Sequence, residues 1–193
     1  MGTVEIHEYD HEWPESFRDT ASQLRMALGE RAARIDHIGS TSVPGLASKD
    51  IIDVQVTVEH GSELDNVARV LEEAGWIPGA GISSDHLVPG WPPDERTRRK
   101  LFFHEPLGSR HAHAHVRVLG HPNQRYPLLC RDYLRAHPHS AEAYATLKRD
   151  LASVLRNDSG HYADAKDAAC DLIFFAAEDW ARVVEWNAGP SDA

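Results

Sequence analysis

The chain has 193 residues, of which 41% are hydrophobic and 26% charged, and 30 acidic against 20 basic side chains set a formal net charge of −10. That length supports a core in one structural unit without staples, burying roughly 70% of the unfolded surface, while Cys130 and Cys170 are too few and too far apart for a zinc ribbon or a disulfide framework. The acidic balance has the wrong sign for affinity gained by releasing counterions from a nucleic-acid backbone, no apolar run reaches bilayer length, and "MGTVEIHEYDHEWPESF" is no secretory signal. These points argue against a polymeric nucleic acid or a membrane as partner and give a cytoplasmic expectation.

In chain order, Val4 to Tyr9 reads as a short strand and is followed by an amphipathic helix with Trp13, Phe17, Leu24 and Leu28 at helical intervals and Pro14 in its first turn. Arg34–Ile38 and "IIDVQVTV" (51–58) read as strands. The second alternates, so Asp53, Gln55 and Thr57 share one face and Ile52, Val54, Val56 and Val58 form the core face. Residues 61–76 predict a helix capped by Ser62 and stopped at Gly75. Pro78 to Asp94 is a Pro- and Gly-rich loop, long enough to be functional or mobile. "KLFFHE" (100–105) and "RHAHAHVRVL" (110–119) predict neighbouring strands across the turn at 106–109. Helices follow at 126–138, 140–155 and about 163–186, the last with an apolar stripe of Ala169, Ile173, Ala176, Trp180 and Val183, and the tail "NAGPSDA" reads as frayed. The expected organisation is a sheet module over 1–122 and a helical module over 123–193 packed on it as one unit.

Three constellations carry candidate chemistry. Asp53 and Gln55 stand at i, i+2 on one strand face, the spacing at which two carboxylates share divalent ions, but an amide is a weak ligand for a hard cation. His111, His113 and His115 project from one strand face at intervals of about 7 Å, and such residues bind transition metals, contact phosphate or move protons. All three cannot ligate one ion, whereas a pair with Asp53 from a neighbouring strand can. Lys49 follows a turn containing Gly39, Ser40, Thr41 and Ser42, which suits an anion although it is no P-loop. The cluster "RTRRK" (96–100) fits a small phosphorylated ligand better than a duplex.

The stretches "YDHEWPESF", "IDHIGSTSVPGLASKDIIDVQVTV", "HAHV" (113–116), "CRDYLRAHP", "AYATLKRDLA" and "HYADAK" together resemble the GrpB family, part of the nucleotidyltransferase superfamily and also found fused behind dephospho-CoA kinase in some bacteria. The resemblance covers nearly the whole chain. It implies an α+β fold: a polymerase-beta-like nucleotidyltransferase mixed sheet with flanking helices and a C-terminal helical module. Gly39-Ser40 stands at the superfamily's Gly-Ser turn and Asp53 at its first metal carboxylate, with Gln55 at the second position and His113 and His115 on the strand that would bring the third. The implied site is Ser40, Ser42, Lys49, Asp53, His113 and His115, closed by Arg131, Lys148, Tyr162 and Lys166.

The expectation is a protein that binds a nucleotide or other phosphorylated small molecule, with divalent-metal-assisted nucleotidyl or phosphoryl transfer; the alternative is a non-catalytic binding module on a degenerate nucleotidyltransferase fold. Asp53, His113 and His115 are the expected catalytic and metal-binding residues. Gly39, Ser40, Thr41, Ser42, Lys49, Gln55, Arg131, Lys148, Tyr162 and Lys166 are the expected ligand contacts. Magnesium or manganese and a nucleotide are the expected cofactors.

Overall fold

The computed structural model describes residues 3–193. Five strands, β1 (Arg34–Ile38), β2 (Ile52–Val58), β3 (Ile77–Pro78), β4 (Leu101–His104) and β5 (Ala112–Val118), form one mixed sheet in the order β1-β2-β5-β4-β3. Only β2 and β5 run parallel; the other three pairings are antiparallel. The parallel pair requires a crossover. It is supplied by α2 (Leu64–Glu73) with β3 and β4, while α1 (Trp13–Leu28) precedes the sheet and α3 (Pro122–Ala136), α4 (Pro138–Val154) and α5 (Ser159–Val183) follow it. The result is the expected α+β architecture of a mixed sheet with flanking helices.

Alternation assigns the two sheet faces. Ile52, Val54, Val56 and Val58 on β2 and Ala112, Ala114, Val116 and Val118 on β5 bury against Trp13, Phe17 and Leu24 of α1 and Leu64, Val67 and Leu71 of α2 in the main core. The register sets Asp53 beside His113 and Gln55 beside His115, so the polar residues of both strands share the opposite face. Part of that face is sealed by α3, where the Gln55 Nε2 donates to the carbonyl of Gln124 at 2.9 Å. The remainder floors a cavity.

Several local expectations change. Residues 4–9 form no strand; His7 makes one isolated bridge to Ser48, since no sheet edge runs alongside. Glu63, rather than Ser62, closes the helix entry by accepting from the His60 N–H at 2.7 Å. On α5 the buried stripe is Phe174, Ala177 and Ala181, with Val183 exposed. The tail is docked rather than frayed: Arg34 donates to the carbonyls of Ala188, Gly189 and Pro190, and Asp192 Oδ2 accepts from the His37 N–H at 2.9 Å. Strand β1 is a sheet edge with unpaired backbone groups, and the tail satisfies them. No helix among the described residues is long and apolar enough to cross a membrane.

The helical segment covers Gln55, Thr57 and Arg117, all buried, so its removal would expose half of a sheet. A chain lacking residues 123–193 is expected to aggregate and to show no cooperative melt in circular dichroism. A soluble, cooperatively melting fragment would show that the sheet module is independent.

Candidate functional site

The open part of the polar sheet face floors a cavity of about 480 Å³ walled by the turn after β1, the loop between β3 and β4, and α3, α4 and α5. At its floor the parallel register brings Asp53 Oδ1 to 3.4 Å from His113 Nδ1 and 3.5 Å from His115 Nε2. The three side chains retain 31%, 19% and 16% of their exposure. Burial would raise the Asp53 carboxyl, but the contacts with His113 and His115 outweigh it and hold the group well below the usual carboxylate range. Burial pushes the His115 imidazole down to about 4, with Arg117 and Lys100 adding to the effect and Asp53 opposing it. His115 is therefore neutral at pH 7 and has a lone pair to offer. His111, one step before β5, is exposed and lies outside the group.

Gly39 shapes this floor. Its φ is +70°, and a Cβ there would lie 2.5 Å from Asp53 Oδ2, so only glycine lets the turn close over the carboxylate. That close approach fixes Oδ2 against the backbone while Oδ1 is the oxygen nearest the imidazoles.

Lysines form one wall. Lys148, 2% exposed, donates to Ser40 Oγ at 2.9 Å and to the Ala47 carbonyl, with its ammonium 4.7 Å from the Tyr144 ring centroid. Lys49 sits 5.6 Å above the buried Tyr162 ring, and Lys166 reaches no carboxylate closer than Asp167 at 4.0 Å. Burial, then Lys166 and more weakly Lys49, brings the Lys148 amine down to about 7; burial and Lys166 also lower Lys49.

Other expected contacts serve the fold. Thr41 pairs with His37 Nε2 at 3.1 Å and donates to the Ile51 carbonyl, and Ser42 donates back to the Gly39 carbonyl; both are buried and outside the cavity lining. Short hydroxyl side chains after a glycine turn satisfy the turn's own backbone, which is why these two are corrected from ligand contacts to scaffold. Gln55 is likewise buried away from the cavity. It accepts from Arg117 Nη1 at 2.8 Å while donating to Gln124, a pairing that needs an amide's acceptor and donor together. Arg131 reaches the lining, yet its guanidinium donates to the His37 carbonyl, Asp132 and Asp192. The basic cluster at 96–100 is also engaged: Arg96 pairs with Asp94, Arg99 with Asp65, and Lys100 with Asp85.

A two-magnesium set therefore does not fit this floor. It needs hard oxygen donors, and the floor offers one carboxylate and two imidazoles, with the amide at position 55 engaged at both its oxygen and its nitrogen by Arg117 and Gln124.

Two groups escaped the sequence reading. Asp85, in the loop between β3 and β4, accepts from Arg117 Nε and Nη2 (2.8 Å each), Lys100 Nζ (2.7 Å) and Asn123 Nδ2 (2.9 Å). Next to it, His86 Nε2 lies 2.8 Å from Asp171 Oδ1, which also accepts from the Tyr126 hydroxyl. The only signal for either was a loop too long to be structureless in a compact domain.

A family model described as GrpB protein matches residues 3–174. Among curated relatives, a dephospho-CoA kinase of Mycobacterium tuberculosis (strain ATCC 25618 / H37Rv) is 34% identical over 194 residues, covering 92% of this chain and 47% of the relative. The chain spans about half the length of the first curated relatives it matches. Of solved structures, the conserved protein GrpB from Enterococcus faecalis superposes with a TM-score of 0.74 at 30% identity, over 91% of this chain and 99% of the other. A weaker likeness, to Cid1 in complex with its short product ApU, has a TM-score of 0.49 at 11% identity over 74% of this chain and 42% of that one.

Proposed function

We propose that this chain, which belongs to the GrpB family, binds a phosphorylated small molecule in the cavity over β2 and β5 and assists nucleotidyl or phosphoryl transfer there. One observation carries the reading. Lys49, Lys148 and Lys166 converge on a single wall beside Ser40, and among the described residues neither Lys49 nor Lys148 forms an ion pair. Buried ammonium groups without counter-charges cost folding energy; a phosphate chain supplies the missing charge and accepts their hydrogen bonds. Seated there, such a ligand reaches from the lysine wall to the Asp53 floor within one cavity. A cation at the floor supplies charge stabilisation for a transferring phosphoryl group, Asp53 and the two imidazoles being the groups that would hold it. The lysines orient the ligand and draw charge off the leaving phosphates.

A thermal-shift screen of nucleoside triphosphates and coenzyme-A precursors, each with and without divalent metal, tests this. The name of the M. tuberculosis relative motivates the second group. A ligand at 100 times its Kd adds about 2.7 kcal/mol to stability, a shift of several degrees. Absence of any shift across the screen would defeat the reading, and ligand shifts indifferent to metal would favour the non-catalytic module.

Proton linkage gives a sharper signature. In the ligand-free protein the Lys148 amine loses its proton near pH 7, against about 10.4 when unfolded. Between those limits the unfolded chain binds more protons, so this group's contribution to stability rises with pH across the window. A bound phosphate raises the amine again. Calorimetry at pH 8 in two buffers of different ionisation enthalpy is expected to show close to one proton taken up per phosphate ligand, vanishing at pH 5.5 and in Lys148→Met.

A further inference from the structure

We propose that Asp53, His113 and His115 form a mononuclear site for a tetrahedral first-row ion of the zinc type, with its fourth position open to the cavity, and that the site fills without any phosphorylated ligand. The inference deepens the reading of the same cavity as a phosphorylated-ligand site by naming the class of ion at its floor.

The donor set comes first. Two imidazole nitrogens and one carboxylate oxygen are borderline ligands that suit zinc, cobalt, nickel and iron, whereas magnesium prefers an all-oxygen octahedron and keeps its waters. One donor atom from each residue lies within 4.8 Å of the other two, so the group converges on a point.

The spacing then selects a geometry. Ligand bonds of about 2.0–2.2 Å give donor–donor edges of about 3.4 Å in a tetrahedron and about 3.0 Å in an octahedron. The two edges from Asp53 Oδ1 are 3.4 and 3.5 Å, already the tetrahedral length. Closing an octahedron would require contraction of each edge between two rigid strands held in parallel register.

Preorganisation is built into the backbone. Gly39 packs against Asp53 Oδ2, where a Cβ would come to 2.5 Å, which holds the carboxylate in place. The His115 ring is set by Phe102, with ring centroids 5.1 Å apart, and its buried Nδ1 has no partner. Nε2 is thus the nitrogen that faces Asp53, and ligation through it leaves the ring proton on Nδ1. All three residues line the cavity, so the remaining coordination position faces the space where a phosphate oxygen or water would sit. Three protein ligands with one open position is the pattern of catalytic rather than structural zinc sites.

The test uses the full chain, stripped with chelator and titrated in phosphate-free buffer with zinc, cobalt and magnesium separately. Zinc and cobalt are expected to bind with one equivalent at this site, cobalt giving the intense visible bands of tetrahedral coordination, and magnesium to give no saturable binding at millimolar concentration. His113→Gln and His115→Gln are expected to weaken zinc binding by about 100-fold or more, while His111→Gln, an exposed neighbour, leaves it unchanged. Should a histidine variant fail to fold, the near-isosteric Asp53→Asn gives the same loss in a chain whose melting curve reports folding. Zinc binding that survives in the folded variants, octahedral cobalt spectra, or magnesium binding as tight as zinc would each overturn the proposal. Pyrophosphate titrated into the same chain in the presence of EDTA reads the lysine wall alone, so loss of the metal site and loss of the phosphate site are separate results.

Discussion

Asp85→Ala is expected to lower the unfolding free energy by about 3–5 kcal/mol, because it strands buried cations without their counter-charge. The carboxylate is held by Arg117 and Lys100, whose side chains are only 7% and 11% exposed, and by the amide of Asn123. Removing it leaves two positive groups facing each other under α3 and frees the loop that carries His86 into the cavity. Denaturant unfolding at pH 7 measures the loss; a change below about 1 kcal/mol, the scale of an exposed pair, would show that the loop is held by other contacts. The same group sets an acid dependence. Burial would raise the Asp85 carboxyl, but Arg117 and Lys100 overcome this and hold it far below the ordinary carboxylate range. Its contribution is therefore complete above the unfolded pKa of about 4 and declines as pH falls further. Between pH 5 and pH 3 the wild type is expected to lose more stability than Asp85→Ala does.

Lys49→Ala is expected to weaken pyrophosphate or nucleotide binding by about 1.5–3 kcal/mol, the range of a hydrogen bond to a charged group, or roughly 10- to 150-fold. Stability should move the other way or not at all. In the ligand-free chain Lys166 lowers the Lys49 amine, and Lys166 and Lys49 both lower that of Lys148, so deleting the Lys49 ammonium relieves repulsion. Calorimetry and a melting curve on one preparation read both quantities. A variant that binds normally but melts several degrees lower would assign Lys49 to the fold instead.

The cavity floor was legible for a simple reason. Strand alternation alone puts Asp53 on the polar face of β2 and His113 and His115 on one face of β5, and the core face of each strand is its β-branched or alanine set. Pairing of those two strands was then the only missing step. Gln55 was misread as a ligand because its role depends on two partners, Arg117 and Gln124, that lie 62 and 69 positions away. Asp85 could not be found from its neighbourhood in sequence: its partners are Lys100 just before β4, Arg117 of β5 and Asn123 of α3, and nothing local distinguishes it from any loop aspartate. Thr41 and Ser42 resemble Ser40 in chemistry, and only the direction of the turn separates scaffold from cavity wall. The docked tail was missed because its polar, Gly-Pro composition reads as disorder, while the edge of β1 that it satisfies is visible only once the sheet order is known.

Isothermal titration of pyrophosphate into the EDTA-treated chain at pH 7 reads the central claim most directly, since no metal is present to bridge protein and ligand. The account predicts saturable one-site binding that weakens with rising salt, falls about 10- to 150-fold in Lys49→Ala, and is unaffected by His113→Gln. Absence of saturable binding in the wild type, or binding indifferent to Lys49 and Lys148 together, would contradict it and leave the lysine wall as scaffold.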